Sequence, residues 1–422
     1  MHGRLLAFGG SGLRVRRLGG NRAGEIRLTR WLRNEAVSVQ EIVDSAAVRT
    51  AQRCVGVGHV LAIQDTTVVR SSGGGGLYLH PVIAVDGDDG ALLGIVSARF
   101  LSRTSGKKAT YKTKPVSEKE SQRWLDGADD AARICAAAAK VTVIADREGD
   151  IFSAFARAPA GCDLIVRAAK DRCLDDGGRL FAHVDKAKVA GRAELEIGAI
   201  PGRVARSAEL AVRFEKVSLK RPSNAVERDL PATVDLTIVD VREESPPAGV
   251  TGVHWRLLTT HTVETADDAI MIAGLYRRRW QIEQVFRTLK TKGFDIEGVL
   301  IEDEAPLKRL TLATLIAAVS IQQLVHARDG ATGQGSLRPM TDAFEPEDHE
   351  LLAAFTADLE GKTARQKNPH PPSSLAWAAW VCARLGGWTG YYGKPGPIVM
   401  LNGWKHFQKA KHAVGMWIQK DV

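Results

Sequence analysis

Two short apolar runs in this sequence each stop at an aspartate. Val60–Gln64 is followed by Asp65, and Val141–Ala145 by Asp146. Runs of this length, apolar on both faces, are too short for helices and fit strands inside a sheet that is covered on both sides. The carboxylate is then the first group to emerge at the end of each strand. What lies between constrains the fold further. Pro81–Val85 and Ala91–Val96 are strand-like and are joined by Asp86-Gly87-Asp88-Asp89-Gly90, a sequence suited to closing a hairpin. Glu118–Lys140 is alanine-rich and predicts a helix. After Asp146, a short helix near Ile151–Arg157 leads into a strand at Asp163–Arg167.

The order is therefore strand, hairpin pair, helix, strand, helix, strand. That pattern predicts an α/β fold of ribonuclease H-like topology. In such a sheet the first and fourth strands adjoin, which brings Asp65 and Asp146 together. Close carboxylates repel unless a cation lies between them, and hard oxygen ligands favour Mg²⁺ or Mn²⁺. Taken singly, each Asp also reads as a cap or turn residue. Glu148 and Asp150 crowd the second site, and Asp150 reads as the cap of the helix that follows it.

The rest of the chain changes character twice. Between about 168 and 260, Ala193–Ile197, Glu209–Phe214, Thr233–Val239 and Trp255–Leu258 are strand-like with no clear helix between them, which predicts an all-β insertion. A long helix then spans Asp267–Lys292, with Thr265 as N-cap and Gly293 just past its end. Beyond 300 the pattern is mainly helical, broken by polar loops at Asp329–Arg338 and Asn368–Pro372. At the other end, residues 1–28 read as a flexible basic arm, and helical pattern runs from Leu28 toward Ala51. The expected division is an N-terminal arm and helical region (1–52), an α/β domain (53–300) interrupted by the insertion (168–260), and a helical C-terminal region (301–422).

Charge narrows the partner class. Lys and Arg number 58 against 49 Asp and Glu, a net charge of +9 over 422 residues. The complement is a polyanion, either nucleic acid or an acidic membrane surface. Leu310–Val325 is apolar but contains Thr, Ser and Gln and is short for a membrane span, so it reads as a buried helix and no membrane partner is expected. Five scattered cysteines without a C-x-x-C, and no apolar leader at the N-terminus, fit a reducing cytoplasm.

On a continuous helix, Tyr276, Arg279, Glu283, Arg287 and Lys290 share one face, beside a core stripe of Leu275, Ile282, Phe286 and Leu289. Periodicity does not separate a solvated face carrying an Arg279–Glu283 pair from a carboxylate set among phosphate-binding groups. Spacing and order go further. The pattern Y-x-x-R-x-x-x-E-x-x-x-x-x-x-K resembles the signature of the insertion-sequence family four transposases, which are DDE cut-and-paste enzymes. The blocks A-I-Q-D-T-T (62–67), I-A-D-R-E-G-D-I (144–151), W-R-L-L-T-T (255–260), A-R-L-G-G (383–387) and L-N-G-W-K-H-F-Q (401–408) appear in the family's order.

The resemblance implies a catalytic triad of Asp65, Asp146 and Glu283 holding two Mg²⁺ or Mn²⁺ ions. It implies that Tyr276, Arg279 and Lys290 contact phosphates at the transposon end, with Arg287 standing where the family has a lysine. Trp255 matches a tryptophan that helps to hold a flipped base, and Arg167 a basic residue gripping the transferred strand. Double-stranded DNA is the implied partner and a homodimer the implied assembly. The resemblance makes 1–52 a partial DNA-binding region, 53–300 a catalytic domain and 301–422 a dimerisation region. The N-terminus departs from the family, whose members carry a longer helical segment ahead of the stretch at Trp31-Leu32-Arg33-Asn34, as in a truncated or a short variant. Two alternatives follow: a transposition-inactive, dimerising inhibitor, or a metal-dependent nuclease of the same fold.

Overall fold

The computed structural model describes residues 13–72, 75–103, 114–198, 204–291, 293–331 and 336–418. Ten strands lie among them: β1 Val60–Gln64, β2 Thr67–Ser72, β3 Gly75–Asp86, β4 Leu92–Arg103, β5 Val141–Ala145, β6 Cys162–Arg167, β7 Gly191–Ile197, β8 Arg206–Lys220, β9 Thr233–Glu243 and β10 His254–Thr259. The chain divides into two compact units. One comprises residues 1–59, 66–104 and 281–422, and the other 60–65 and 105–280.

The second unit is a mixed α/β body. β1 pairs with β5 and β5 with β6, both parallel. β10 then adds antiparallel to β6, followed by β9, β8 and β7 in antiparallel order. The strands expected as an insertion therefore continue the sheet directly from β6. β1 and β5 are buried along their whole length, as their unbroken apolar character requires. The helix joining into β5 is Gln122–Ile134, shorter than its sequence pattern because the chain turns at Cys135–Lys140. A short helix, Leu180–Asp185, lies within the stretch read as all-β. The length of Leu180–Asp185 is below what periodicity can register.

The first unit contains the antiparallel meander β2–β3–β4. The hairpin turn forms where expected: the Asp86 and Gly90 amides donate to Ala91 and Asp86 carbonyls, and Gly90 takes the positive φ that favours glycine. β2 was not apparent in the sequence, since Thr67–Ser72 follows Asp65 after a single residue. β3 begins well before Pro81, which sits inside the strand rather than at its start.

The helix Val39–Cys54, closed by a Ser38/Glu41 capping box, lies against β4, where Thr50 Oγ1 donates to the Ile95 carbonyl at 2.7 Å. Glu304–Ala327 reaches the same strand through Gln323 Nε2, which donates to the Leu92 carbonyl at 3.0 Å. With 24 residues this helix is long and apolar enough to cross a membrane, and its most apolar stretch is 78% buried inside the protein. Burial, rather than the shortness read from the sequence, marks it as a core helix. The helices Asp348–Leu359, Leu375–Leu385 and Pro397–Ile418 complete the unit.

The basic arm needs correction. Residues 1–12 of it lie outside the described residues, but Val15–Gly19 and Arg22–Arg33 are helices. Asn21 caps the second by accepting from the Gly24 amide at 2.8 Å, and Leu13, Leu18, Leu28 and Leu32 are buried. Gly19 and Gly20 fall at the boundary between these two helices. Residues 332–335 of the polar loop and Lys292 at the expected helix end also lie outside the described residues.

Candidate active site

Three parallel strand ends define the site in the second unit. The strand registers pair Ile63 with Ile144 and Ala145 with Val166. Continued past the last paired residues, they set Asp65, Asp146 and Arg167 side by side. Sites in parallel sheets form at this carboxyl end of the strands. β6 lies between β5 and β10, so Arg167 is not a charge on a sheet edge.

Each aspartate has a defined partner. Asp65 Oδ2 accepts from Arg279 Nη1 at 2.7 Å, with only 13% of the Asp65 side chain and 17% of the Arg279 side chain exposed. Asp146 Oδ1 accepts the Glu148 amide at 2.8 Å and caps the turn Arg147–Gly149. The cap reading and the site reading of Asp146 are thus compatible, because a carboxylate has a second oxygen. Glu148 is exposed and pairs with Arg123. Asp150 is not the helix cap expected of it: Phe152–Ala156 starts from Ile151 with no side-chain cap. The Asp150 carboxylate is fully buried and accepts from the Ala169 and Lys170 amides, at 2.8 and 2.9 Å, and from Arg172 Nε at 2.9 Å. It ties down the loop that leaves β6 directly after Arg167.

Around the two aspartates lies a cationic and aromatic rim. The Tyr276 phenol lies close enough to both Arg279 and Arg167 for their charges to act on it. Trp255, at the start of β10, meets the Tyr276 ring edge-on with centroids 5.6 Å apart. Arg167 Nη2 donates to the His254 carbonyl at 2.9 Å. Burial holds the Arg167 guanidinium below the ordinary arginine value, opposed by Tyr276 and reinforced by Arg147. Arg147 lies within the 144–151 block but was given no role from sequence.

Burial pushes the Tyr276 phenol above the usual tyrosine value, against the pull of Arg279 and Arg167 and with Asp146 adding to the rise. The phenol therefore stays a proton donor through neutral and mildly alkaline pH. A tyrosine whose folded value is raised loses stabilising effect as pH climbs above about 10, the unfolded value, toward the folded one. Ultraviolet titration of the folded protein against Tyr276→Phe is expected to show the Tyr276 phenol ionising above the ordinary tyrosine midpoint. A difference spectrum at the ordinary midpoint would contradict it.

The long helix is two helices. Ala266–Arg277 starts from a Thr265/Asp268 capping box, as its N-cap predicted, and Trp280–Leu289 follows. At the break, the Arg278 and Arg279 amides donate to the Leu275 and Tyr276 carbonyls, three residues back, which tightens the chain into a turn. No Gly or Pro marks this point in the sequence, so the single face expected for Tyr276 to Lys290 on a continuous helix is not the face of one helix. The core stripe holds nonetheless: Leu275, Ile282, Phe286 and Leu289 are all buried.

Glu283, half-buried, and Arg287, exposed, belong to Trp280–Leu289 within the first unit. Lys290 Nζ pairs there with Glu297 at 2.7 Å. Among the described residues no three His, Cys, Asp or Glu side chains converge as a ready-made metal cage. Asp65 and Asp146 bring hard carboxylate oxygens, the donor type that Mg²⁺ or Mn²⁺ prefers, and Asp65 already carries the Arg279 guanidinium.

The parallel strands thus end, on their carboxyl side, in two aspartates with Arg167 and Arg279 nearby. The chain belongs to the transposase DDE domain family, whose match covers residues 45–319, well over half of its length. The family places it among transposases, DNA-cleaving and strand-transferring enzymes that use divalent metal ions.

Proposed function

We propose that this chain is a cut-and-paste DNA transposase of the insertion-sequence family four type, built on a ribonuclease H-like core with Asp65, Asp146 and Glu283 as its acidic triad. The observation that supports it most directly is the register of β1 and β5, which sets Asp65 beside Asp146 inside the matched stretch. Glu283 joins them on the spacing of its signature with Tyr276, Arg279 and Lys290.

Asp65, Asp146 and Glu283 would hold two Mg²⁺ or Mn²⁺ ions, which when bound would supply Lewis-acid activation of water or a 3′-hydroxyl and charge stabilisation at the leaving oxygen. The protein's own groups position the DNA. Arg279, Arg287 and Lys290 bind phosphates by charge, and Arg fits a phosphodiester bidentately. Tyr276 donates through its phenol, and Arg167 holds the strand end. Trp255, packed on one edge by Tyr276, offers a face on which an unstacked base rests during a hairpin step. Residues 53–300 form the catalytic domain with 168–260 as its insertion, 1–52 carry part of the end-binding region, and 301–422 pair two copies across the DNA ends.

Glu283→Gln tests the triad. It is expected to abolish divalent-dependent cleavage while retaining DNA binding in a gel-shift assay, because Gln keeps the volume and removes the charge. Cleavage at the wild-type rate rejects Glu283 as a ligand.

A further inference from the structure

We propose that Arg279 keeps Asp65 closed to metal until a DNA phosphate draws its guanidinium away, so that DNA binding and metal loading are coupled. The inference rests on reading Asp65 and Asp146 as metal ligands. Arg279 Nη1 lies 2.7 Å from Asp65 Oδ2, and both side chains are more than four-fifths buried. A divalent ion bonding that oxygen at roughly 2.0–2.2 Å competes for the same place, and the two cations repel. In so little water the guanidinium does not leave without another anion to meet it.

The local backbone suits such an exchange. Arg279 stands in the turn between Ala266–Arg277 and Trp280–Leu289, outside the regular ladder of either helix. Tyr276, one turn back, reaches the same guanidinium with a phenol that stays protonated, a neutral partner that does not compete for charge. A phosphodiester matches the guanidinium fork better than a single carboxylate oxygen does. Once the arginine has moved to phosphate, its guanidinium no longer competes at Asp65 Oδ2, and the affinity for a divalent ion rises. Linkage makes the effect reciprocal: a bound ion strengthens DNA binding by the same factor. The device restrains metal-driven nicking until DNA is in place.

The test measures Mn²⁺ binding to the full chain by electron paramagnetic resonance of the unbound ion, with and without a short DNA duplex. Ions taken up by the duplex alone are subtracted. Wild type is expected to bind Mn²⁺ about tenfold more tightly with the duplex present. Arg279→Gln is expected to reach that tighter value without DNA and to gain little on adding it, whereas Arg279→Lys, which keeps the charge, stays weak. Equal wild-type affinity with and without duplex overturns the coupling, and this arm needs no variant to fold. Arg279→Gln binding no better than wild type overturns it as well. Adding Asp146→Asn to each protein separates the two levels of the argument. Binding that Asp146→Asn removes but Arg279 does not affect rejects the coupling alone, and binding indifferent to Asp146→Asn rejects the metal site itself.

Discussion

Asp146→Asn is expected to reduce divalent-dependent DNA cleavage by about 10³-fold or more, the scale on which loss of one charge-stabilising group slows an enzyme. That corresponds to roughly 4 kcal/mol of transition-state stabilisation. The substitution is clean at this position. Asn retains the oxygen that accepts the Glu148 amide, so the turn Arg147–Gly149 keeps its cap. β5 stays buried and paired on both sides. What is lost is negative charge at the end of β5, beside Asp65. Cleavage of a labelled duplex in Mg²⁺, read beside a gel shift and a melting curve, separates catalysis from binding and folding. Activity within tenfold of wild type, in a protein that melts normally, ends the case for the aspartate pair. Asp65→Asn is the less clean partner experiment, because it also strips Arg279 of its carboxylate.

The largest effect on stability is expected at Asp150. Asp150→Ala leaves the Arg172 guanidinium buried without its carboxylate and deprives the Ala169 and Lys170 amides of their acceptor. Breaking a buried pair by removing one partner costs about 3–5 kcal/mol. Differential scanning calorimetry is expected to show a melting point lower by several degrees. Asp150→Asn, which keeps an acceptor for the amides but not the charge, is expected to fall between. An unchanged melting point for Asp150→Ala shows that the pair adds nothing over water. Because the loop it holds begins one residue after Arg167, DNA affinity is expected to weaken along with stability.

The element order between Val60 and Arg167 was legible because burial leaves strong marks. Val60–Gln64 and Val141–Ala145 are apolar on both faces, and a hairpin turn with glycines at Gly87 and Gly90 has few alternatives. Asp65 and Asp146 were legible for the same reason, as the first polar residues after buried strands. Their partners were not. Asp150 carries the same local signal as any helix-capping aspartate, and the groups that donate to it, Ala169, Lys170 and Arg172, come from another loop. The break after Arg277 was invisible because Arg278 and Arg279 are good helix formers, and it takes two i−3 hydrogen bonds to end the ladder there. Val15–Gly19 and Arg22–Arg33 were hidden by glycines that lie between helices rather than inside a loose arm.

The sequence by itself determined that this chain carries two strand-end aspartates in a buried parallel pair, a Tyr-Arg-Glu-Lys signature and a basic surplus suited to a polyanion. These are properties of residue type and spacing, and hydrophobic burial enforces them locally. The tertiary structure alone decided that Arg279 reaches Asp65, that Tyr276 lies between two guanidinia with Trp255 against its ring, and that Asp150 serves the loop after β6 instead of a helix. Those contacts join residues distant in the chain, and their worth depends on exclusion of water. Only packing creates that exclusion, so no pattern along the chain records it.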